Sequence, residues 1–167
     1  MERMTRPCVE LVLRVAMCLT VLLPLATVVQ AQGKSRVGTW ELDLSRSTFS
    51  PGPAPQKQTL TFEEKGPQWT ALIQGVDASG RPINVDANNL MITFDGRDHP
   101  TASVDYETTA WKRVNENKYL VIRKKAGKVV LTSTNILSAD GKTMTITTVG
   151  QNAAGQPVHN VRVYVRR

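Results

Sequence analysis

The chain of 167 residues carries 21 lysines and arginines against 14 acidic residues, which gives a net charge of +7. This length suits one ordinary domain with a sizeable core beside a short leader. Aromatic residues make up 5% of the chain. That is too few for the two aromatic girdles of an outer-membrane barrel or for a surface that stacks nucleic-acid bases, so both classes are disfavoured.

Residues 1–31 have the features of an export leader. The start is mildly positive, the run from Val15 to Val29 is almost wholly apolar, and Val29-Gln30-Ala31 is a small-x-small ending. This pattern predicts a secretory signal peptide cleaved after Ala31, with a periplasmic or secreted product. The alternative is a retained membrane anchor, but fifteen apolar residues fall short of the roughly 20 that a spanning helix needs.

The predicted mature chain, residues 32–167, has no cysteine, because Cys8 and Cys18 both lie in the leader. Disulfides, a thiol nucleophile and cysteine-ligated metals are therefore not expected. Without the three basic and two acidic residues of the leader, the net charge is +6. Such a domain must be stabilised by its core alone.

The first strand signal is the stretch from Val37 to Leu44. Trp40, Leu42 and Leu44 alternate with polar residues, which is the period-2 pattern of a half-buried strand. Three prolines follow between Ser45 and Gln56 and predict an extended connection.

The pattern of the remaining chain predicts a series of strands that are joined by turns. Asn88-Asn89 interrupts one of them, and no helical period of ten residues occurs. The predicted strands cover residues 58–64, 69–76, 83–94, 101–104, 108–114, 118–125, 129–138, 143–150 and 158–166. Their even spacing predicts an all-β fold, an antiparallel up-and-down meander of nine or ten strands closed into a barrel. A two-sheet β-sandwich is the alternative.

Two stretches carry a family resemblance. Gly38-Thr39-Trp40 matches the Gly-x-Trp signature of lipocalins and related calycins, and the ending Val161–Arg166 resembles the last strand of fatty-acid-binding proteins. The whole mature chain resembles small exported bacterial proteins described as lipocalin-like. The chain lacks the helix-turn-helix lid of fatty-acid-binding proteins, because the connection after the first strand is too short and too rich in proline.

The resemblance implies roles for four residues. Gly38 and Trp40 would be structural, with Trp40 closing one end of the barrel beneath Arg162 or Arg166. Arg162 and Tyr164 would point inward and hold the carboxylate of a ligand. The alternative from ordinary patterning is that the valines of this last strand face the core while Arg162 and Tyr164 face water.

The sequence offers no catalytic constellation. His99 with Asp95 and Asp98 is the only local cluster of possible metal ligands, and a turn capped by aspartate explains it better. Motifs for a serine nucleophile, a phosphate loop or a zinc protease are missing. We therefore expect no enzyme activity, no catalytic residue, no metal and no cofactor.

A basic group gathers around one predicted hairpin. Its members are Lys118, Arg123, Lys124, Lys125 and Lys128. It could meet an anionic surface, but a charged hairpin tip that prevents edge pairing is the favoured interpretation.

Two functions remain. The first is an exported binding module for a small, mainly apolar and possibly anionic ligand. The second is a non-enzymatic structural or interaction protein of the cell envelope with a filled barrel. The second requires six side chains to fill the interior: Leu42, Leu60, Phe62, Leu72, Met144 and Ile146. Either protein is expected to be a monomer, with no nucleic-acid partner and no integral membrane span after cleavage.

Overall fold

The computed structural model describes residues 35–85, 91–101, 103 and 105–167. Within these ranges the chain forms eleven strands: β1 (Gly38–Thr48), β2 (Lys57–Lys65), β3 (Gln68–Val76), β4 (Pro82–Val85), β5 (Met91–Ile92), β6 (His99–Pro100), β7 (Thr108–Arg113), β8 (Lys118–Lys125), β9 (Lys128–Leu137), β10 (Thr143–Gln151) and β11 (Pro157–Arg166). The described ranges contain no helix that is long and apolar enough to cross a membrane. The predicted leader lies outside the described residues.

All eleven strands belong to one antiparallel sheet. Its order is β4-β3-β2-β1-β11-β10-β9-β8-β7-β6, and β5 pairs with β3. Strands that are adjacent in this order are also consecutive in sequence, with one exception: β1, the first strand, pairs with β11, the last. The predicted all-β antiparallel meander is confirmed, and the two-sheet alternative is wrong.

The sheet is not closed by a continuous ladder, which differs from the predicted closed barrel. Its two ends approach each other where β5 pairs with β3 and where Asp95 forms an isolated bridge with Lys112 in β7. The Gly96 N–H donates to the Trp111 carbonyl at 2.9 Å beside this bridge. Strands of two to four residues, as β4, β5 and β6 are, offer too few backbone groups for a full seam.

The irregular strand predicted over residues 83–94 is two strands, β4 and β5. Residues 86–90, which include Asn88-Asn89, lie outside the described residues. The short strand expected near 101–104 occurs instead as β6, at His99–Pro100. Proline is tolerated there because β6 is an edge strand with one unpaired side.

β1 runs four residues further than predicted. The register with β11 shifts between Asp43 and Thr48. The Ser47 hydroxyl donates to the Asp43 carbonyl at 2.6 Å and accepts from the Val163 N–H at 2.9 Å, so a side chain replaces a missing ladder bond. This irregularity lets the strand bend before the proline-rich connection.

The inner face of the sheet carries the core. Trp40, Leu60, Phe62 and Met144 are buried in one cluster with Leu42, Ala71, Ile92, Leu137 and Tyr164. Leu60 pairs with Ile73 and Thr61 pairs with Leu72. Because neighbours in register share a face, Leu72 lies on the outer face, and its expected place in the interior is corrected.

Candidate ligand-binding cavity

The sheet encloses a cavity of about 790 Å³. This volume lies inside the range of roughly 300–1,000 Å³ that small-molecule sites occupy. Its apolar wall is formed by Leu60, Phe62, Ala71, Ile73, Ile92, Trp111 and Ile146. Three residues expected to fill a solid interior, Leu60, Phe62 and Ile146, therefore line an open space.

Arg162 and Tyr164 both line this cavity. They occupy alternate positions of β11, so one face of the strand presents both side chains. Tyr164 is buried, and its hydroxyl donates to the Gln58 side-chain oxygen at 2.7 Å. Arg162 is half-buried, with its guanidinium carbon 5.7 Å from the centre of the Phe49 ring. Of the two orientations left open by the sequence, the structure has this polar face inward, although Val163 on the opposite face is also buried.

A third cavity residue, Arg123 of β8, was missed by the sequence reasoning. Its Nη1 donates to the Ser133 hydroxyl at 2.7 Å, and its guanidinium carbon lies 5.3 Å from the centre of the Tyr106 ring. Burial lowers the pKa of Arg123, and the positive charge of Arg162 lowers it further. Tyr119 and Val121 are buried at alternate positions before it, and this period-2 pattern was the signal that could have placed Arg123 inside.

A buried pair of hydroxyl groups lies beside Arg123, and Thr148 is the member of the pair that lines the cavity. The Ser133 and Thr148 side-chain oxygens lie 2.8 Å apart, and both residues are buried. These groups and the two arginines lie on β8, β9, β10 and β11, whereas β2, β3 and β5 contribute mainly apolar side chains. The cavity is therefore more polar on its β8–β11 side, where Ile146 is an apolar exception, and more apolar on its β2, β3 and β5 side.

Within the described part of the chain, the positive charges of the cavity have no carboxylate partner. Among the described residues, neither Arg123 nor Arg162 forms an ion pair. The carboxylate that lines the cavity belongs to Glu107, which is exposed and accepts a hydrogen bond from the Ala126 N–H at 2.9 Å. The interior therefore presents a net positive charge to a ligand.

The histidine cluster lies at the cavity margin. The Asp95 carboxylate accepts from the Arg97 N–H at 2.9 Å and contacts His99 Nε2 at 3.0 Å. These two bonds, the backbone bond first, lower the pKa of Asp95. Asp98 is paired instead with Lys124 at 2.8 Å. Within the described part of the chain, no three such side chains converge on a metal position.

Gly38 and Trp40 lie at one end of the sheet. Trp40 is fully buried, and its indole N–H donates to the Arg36 carbonyl at 2.8 Å. Of the two candidate arginines, Arg166 covers it, with the guanidinium carbon 4.3 Å from the centre of the Trp40 ring. Gly38 has a φ of +121°, and a Cβ there would lie 3.0 Å from an Arg166 nitrogen, so glycine is favoured.

Arg36 is a buried cation at this end of the sheet, and no sequence pattern predicted its position. Its guanidinium carbon lies 4.1 Å from the centre of the Tyr119 ring, and it donates to the Asn117 carbonyl at 2.5 Å and the Glu116 carbonyl at 3.3 Å. Arg36 thereby ties the start of β1 to the turn before β8.

The predicted basic group is not one surface. Lys118 begins β8, whereas Lys125 pairs with Lys128 at the opposite end of the hairpin. Arg123 points into the cavity and Lys124 is paired with Asp98. Of the predicted charged tip, only Lys125 and Lys128 lie at the end of the hairpin. The turn between them is Ala126-Gly127, whose positive φ values are those of a two-residue type I′ turn.

No family model matches this chain. No curated protein is similar to it in sequence. Solved structures do resemble it, and among them is the zebrafish ileal bile acid-binding protein in complex with cholic acid. The TM-score is 0.51 at 12% sequence identity, and the match covers 78% of this chain and 98% of that protein. At this identity the likeness shows the fold alone, which is the calycin fold of the fatty-acid-binding-protein type.

Proposed function

We propose that this protein is an exported binding module whose cavity holds one small amphipathic ligand with an apolar body and an anionic group. The observation that carries the proposal is the cavity of about 790 Å³ with Arg123 and Arg162 on its polar side. The filled barrel is the weaker candidate, because side chains expected to fill it leave this space open.

The electrostatics favour an anion. A cation removed from water costs free energy unless an opposite charge or hydrogen bonds compensate, and no described carboxylate pairs with Arg123 or Arg162. A guanidinium group presents a planar fork of donors that matches an anionic oxygen pair. A bound anion would therefore relieve the repulsion between the two arginines.

Tyr164 contributes in a different way from a simple carboxylate donor. A phenol has one proton, and Tyr164 gives it to Gln58. We infer that Tyr164 holds Gln58 and shapes the wall beside Arg162. The apolar body of the ligand would pack on Leu60, Phe62 and Ile73, where burial of apolar surface supplies affinity.

Export, and membership of the exported bacterial lipocalin-like proteins, are proposed from the leader pattern and the sequence resemblance. The calycin fold is consistent with a carrier that performs no chemistry and acts as a monomer. We accordingly propose no catalytic role for any residue of the cavity.

The test is a titration of the purified full chain with a dansyl-labelled long-chain fatty acid. We expect saturable binding of one probe, displacement by palmitate and weak displacement by uncharged hexadecanol. Arg162→Gln should weaken binding by about tenfold or more, the scale of a lost charge-assisted hydrogen bond. Arg81→Gln is the matched control, because Arg81 is exposed in the β3–β4 turn and pairs with Asp77.

Two results would refute the proposal. One is the absence of saturable binding to the wild-type protein. The other is displacement by hexadecanol as strong as displacement by palmitate, which would show that the arginines do not select an anion. Native mass spectrometry of protein purified from its host would add a direct search for a retained small molecule.

A further inference from the structure

We infer that the ligand is a long-chain phosphate monoester, whose dianionic head group is matched to two arginines, in preference to a monocarboxylate. This inference rests on the proposed function of the cavity and narrows its ligand class. It follows from the number of charges and the number of hydrogen-bond donors that the interior presents.

The charge count comes first. Arg123 and Arg162 contribute two positive charges to the cavity wall. Glu107, the carboxylate on this wall, is exposed and bonded to a backbone N–H, and the cavity-lining His99 is held by Asp95. Solvent screens the charge of the exposed Glu107, so one bound carboxylate would leave one of the two arginine charges without a partner inside the cavity, whereas a dianion would match both.

The donor count agrees. Of the five N–H groups of Arg123, one on Nη1 donates to Ser133 and a side-chain hydrogen bond with Tyr106 engages another, which leaves three. Among the described residues, none accepts a hydrogen bond from the Arg162 guanidinium. Ser133 and Thr148 share one hydroxyl proton in their mutual bond, and Thr148 is the member of the pair that lines the cavity. When Ser133 donates within the pair, the Thr148 proton is available to a ligand. The three non-bridging oxygens of a phosphate monoester offer more acceptor positions to these donors than the two oxygens of a carboxylate.

Three long-chain ligands separate charge from shape. The ligands are hexadecyl phosphate, hexadecyl sulfate and palmitate, which all have a long apolar chain. The phosphate and sulfate head groups are both tetrahedral, but the sulfate carries a single negative charge at every pH used. We expect the phosphate to bind the full-length protein at least about tenfold more tightly than the sulfate near pH 8. Near pH 5 the phosphate loses its second charge, whose pKa is about 6, and the preference should disappear.

The sulfate also serves as the control for the protein's own titration. His99, Glu107, Tyr106 and Tyr164 are the titratable groups that line the cavity besides the arginines. A change in their charge also alters sulfate binding, so the sulfate reveals it directly. Near pH 5, where both ligands carry one charge, it alters both affinities alike and leaves their ratio near one.

Substitutions test whether Arg162 is responsible for the preference for phosphate over sulfate. Arg162→Gln should reduce the phosphate-to-sulfate affinity ratio towards one, while Arg81→Gln should leave it unchanged. Circular dichroism checks that each variant folds. If Arg162→Gln does not fold, Arg162→Lys preserves the charge and should retain a ratio above one.

The outcomes are distinct. Equal binding of phosphate and sulfate near pH 8 overturns the inference and leaves an anion-binding cavity intact. Competition by inorganic phosphate as strong as by hexadecyl phosphate overturns the long-chain part. Failure of all three long-chain ligands, palmitate included, removes the proposed function itself.

Discussion

The Tyr164 hydroxyl donates a hydrogen bond to the Gln58 side-chain oxygen at 2.7 Å, which joins β11 to β2 across β1. The phenol is buried at the cavity wall. Burial raises the pKa of Tyr164 to about 12, although the nearby positive charge of Arg162 opposes this change. The burial of this phenol at the cavity wall therefore couples the cavity to the pH dependence of stability.

We predict that alkaline pH destabilises the protein in part through Tyr164. Because the folded-state pKa is raised above the usual value near 10, this contribution to stability is complete below about pH 10 and is lost as the pH rises towards 12. Absorbance titration at the tyrosinate band should show one tyrosine that ionises late. Tyr164→Phe should remove that late step, and an unchanged titration curve in this variant would contradict the assignment.

We predict the opposite pH dependence for Asp43. Hydrogen bonds from Ser45 and then Arg46 lower the pKa of Asp43 to about 2. A lowered folded-state pKa gives stability that is present above the unfolded value near 3.8 and is lost as the pH falls towards 2. Asp43→Asn should therefore lower the melting temperature near neutral pH, and the difference from wild type should shrink on acidification. A difference that stays constant down to pH 2 would show that the charge of Asp43 is irrelevant.

Removal of Trp40 should cost most of the stability of the domain. Trp40→Ala deletes a fully buried aromatic side chain and is expected to lower the free energy of unfolding by about 3–5 kcal/mol, measured in denaturant. Trp40→Phe keeps much of the apolar contact but loses the hydrogen bond to the Arg36 carbonyl. Its free energy of unfolding should therefore lie between those of the wild type and Trp40→Ala. An overlap of the Trp40→Ala and wild-type curves would refute the closing role of Trp40.

Filling the cavity should weaken ligand binding without unfolding the protein. Ile73 lines the cavity, whereas Leu72 beside it lies on the outer face of β3. We expect Ile73→Trp to reduce affinity for long-chain ligands several-fold or more, because the larger ring occupies space that the chain needs. Leu72→Trp is the matched control and should bind as wild type does. Equal effects of the two substitutions on affinity would contradict the placement of the binding site.

The sequence by itself determined where most strands lie. Period-2 alternation and turn residues are local properties, and they located β1, β2, β3 and β7 to β11 to within a few residues. They also identified Trp40 as a core residue and placed Arg162 and Tyr164 on one face of the last strand. Alternation separates two faces of a strand but does not say which face is covered, so the orientation of Arg162 stayed open.

Only the tertiary structure decided which residues share the cavity. Arg123 lies nearly forty residues before Arg162 in sequence, and the β8–β11 part of the sheet places both on one wall. The register of β3 against β2 put Ile73 inside and Leu72 outside. These outcomes depend on pairing between strands and on the curvature of the whole sheet. A local pattern cannot encode them, because the free energy that selects a face comes from burial against residues distant in the chain.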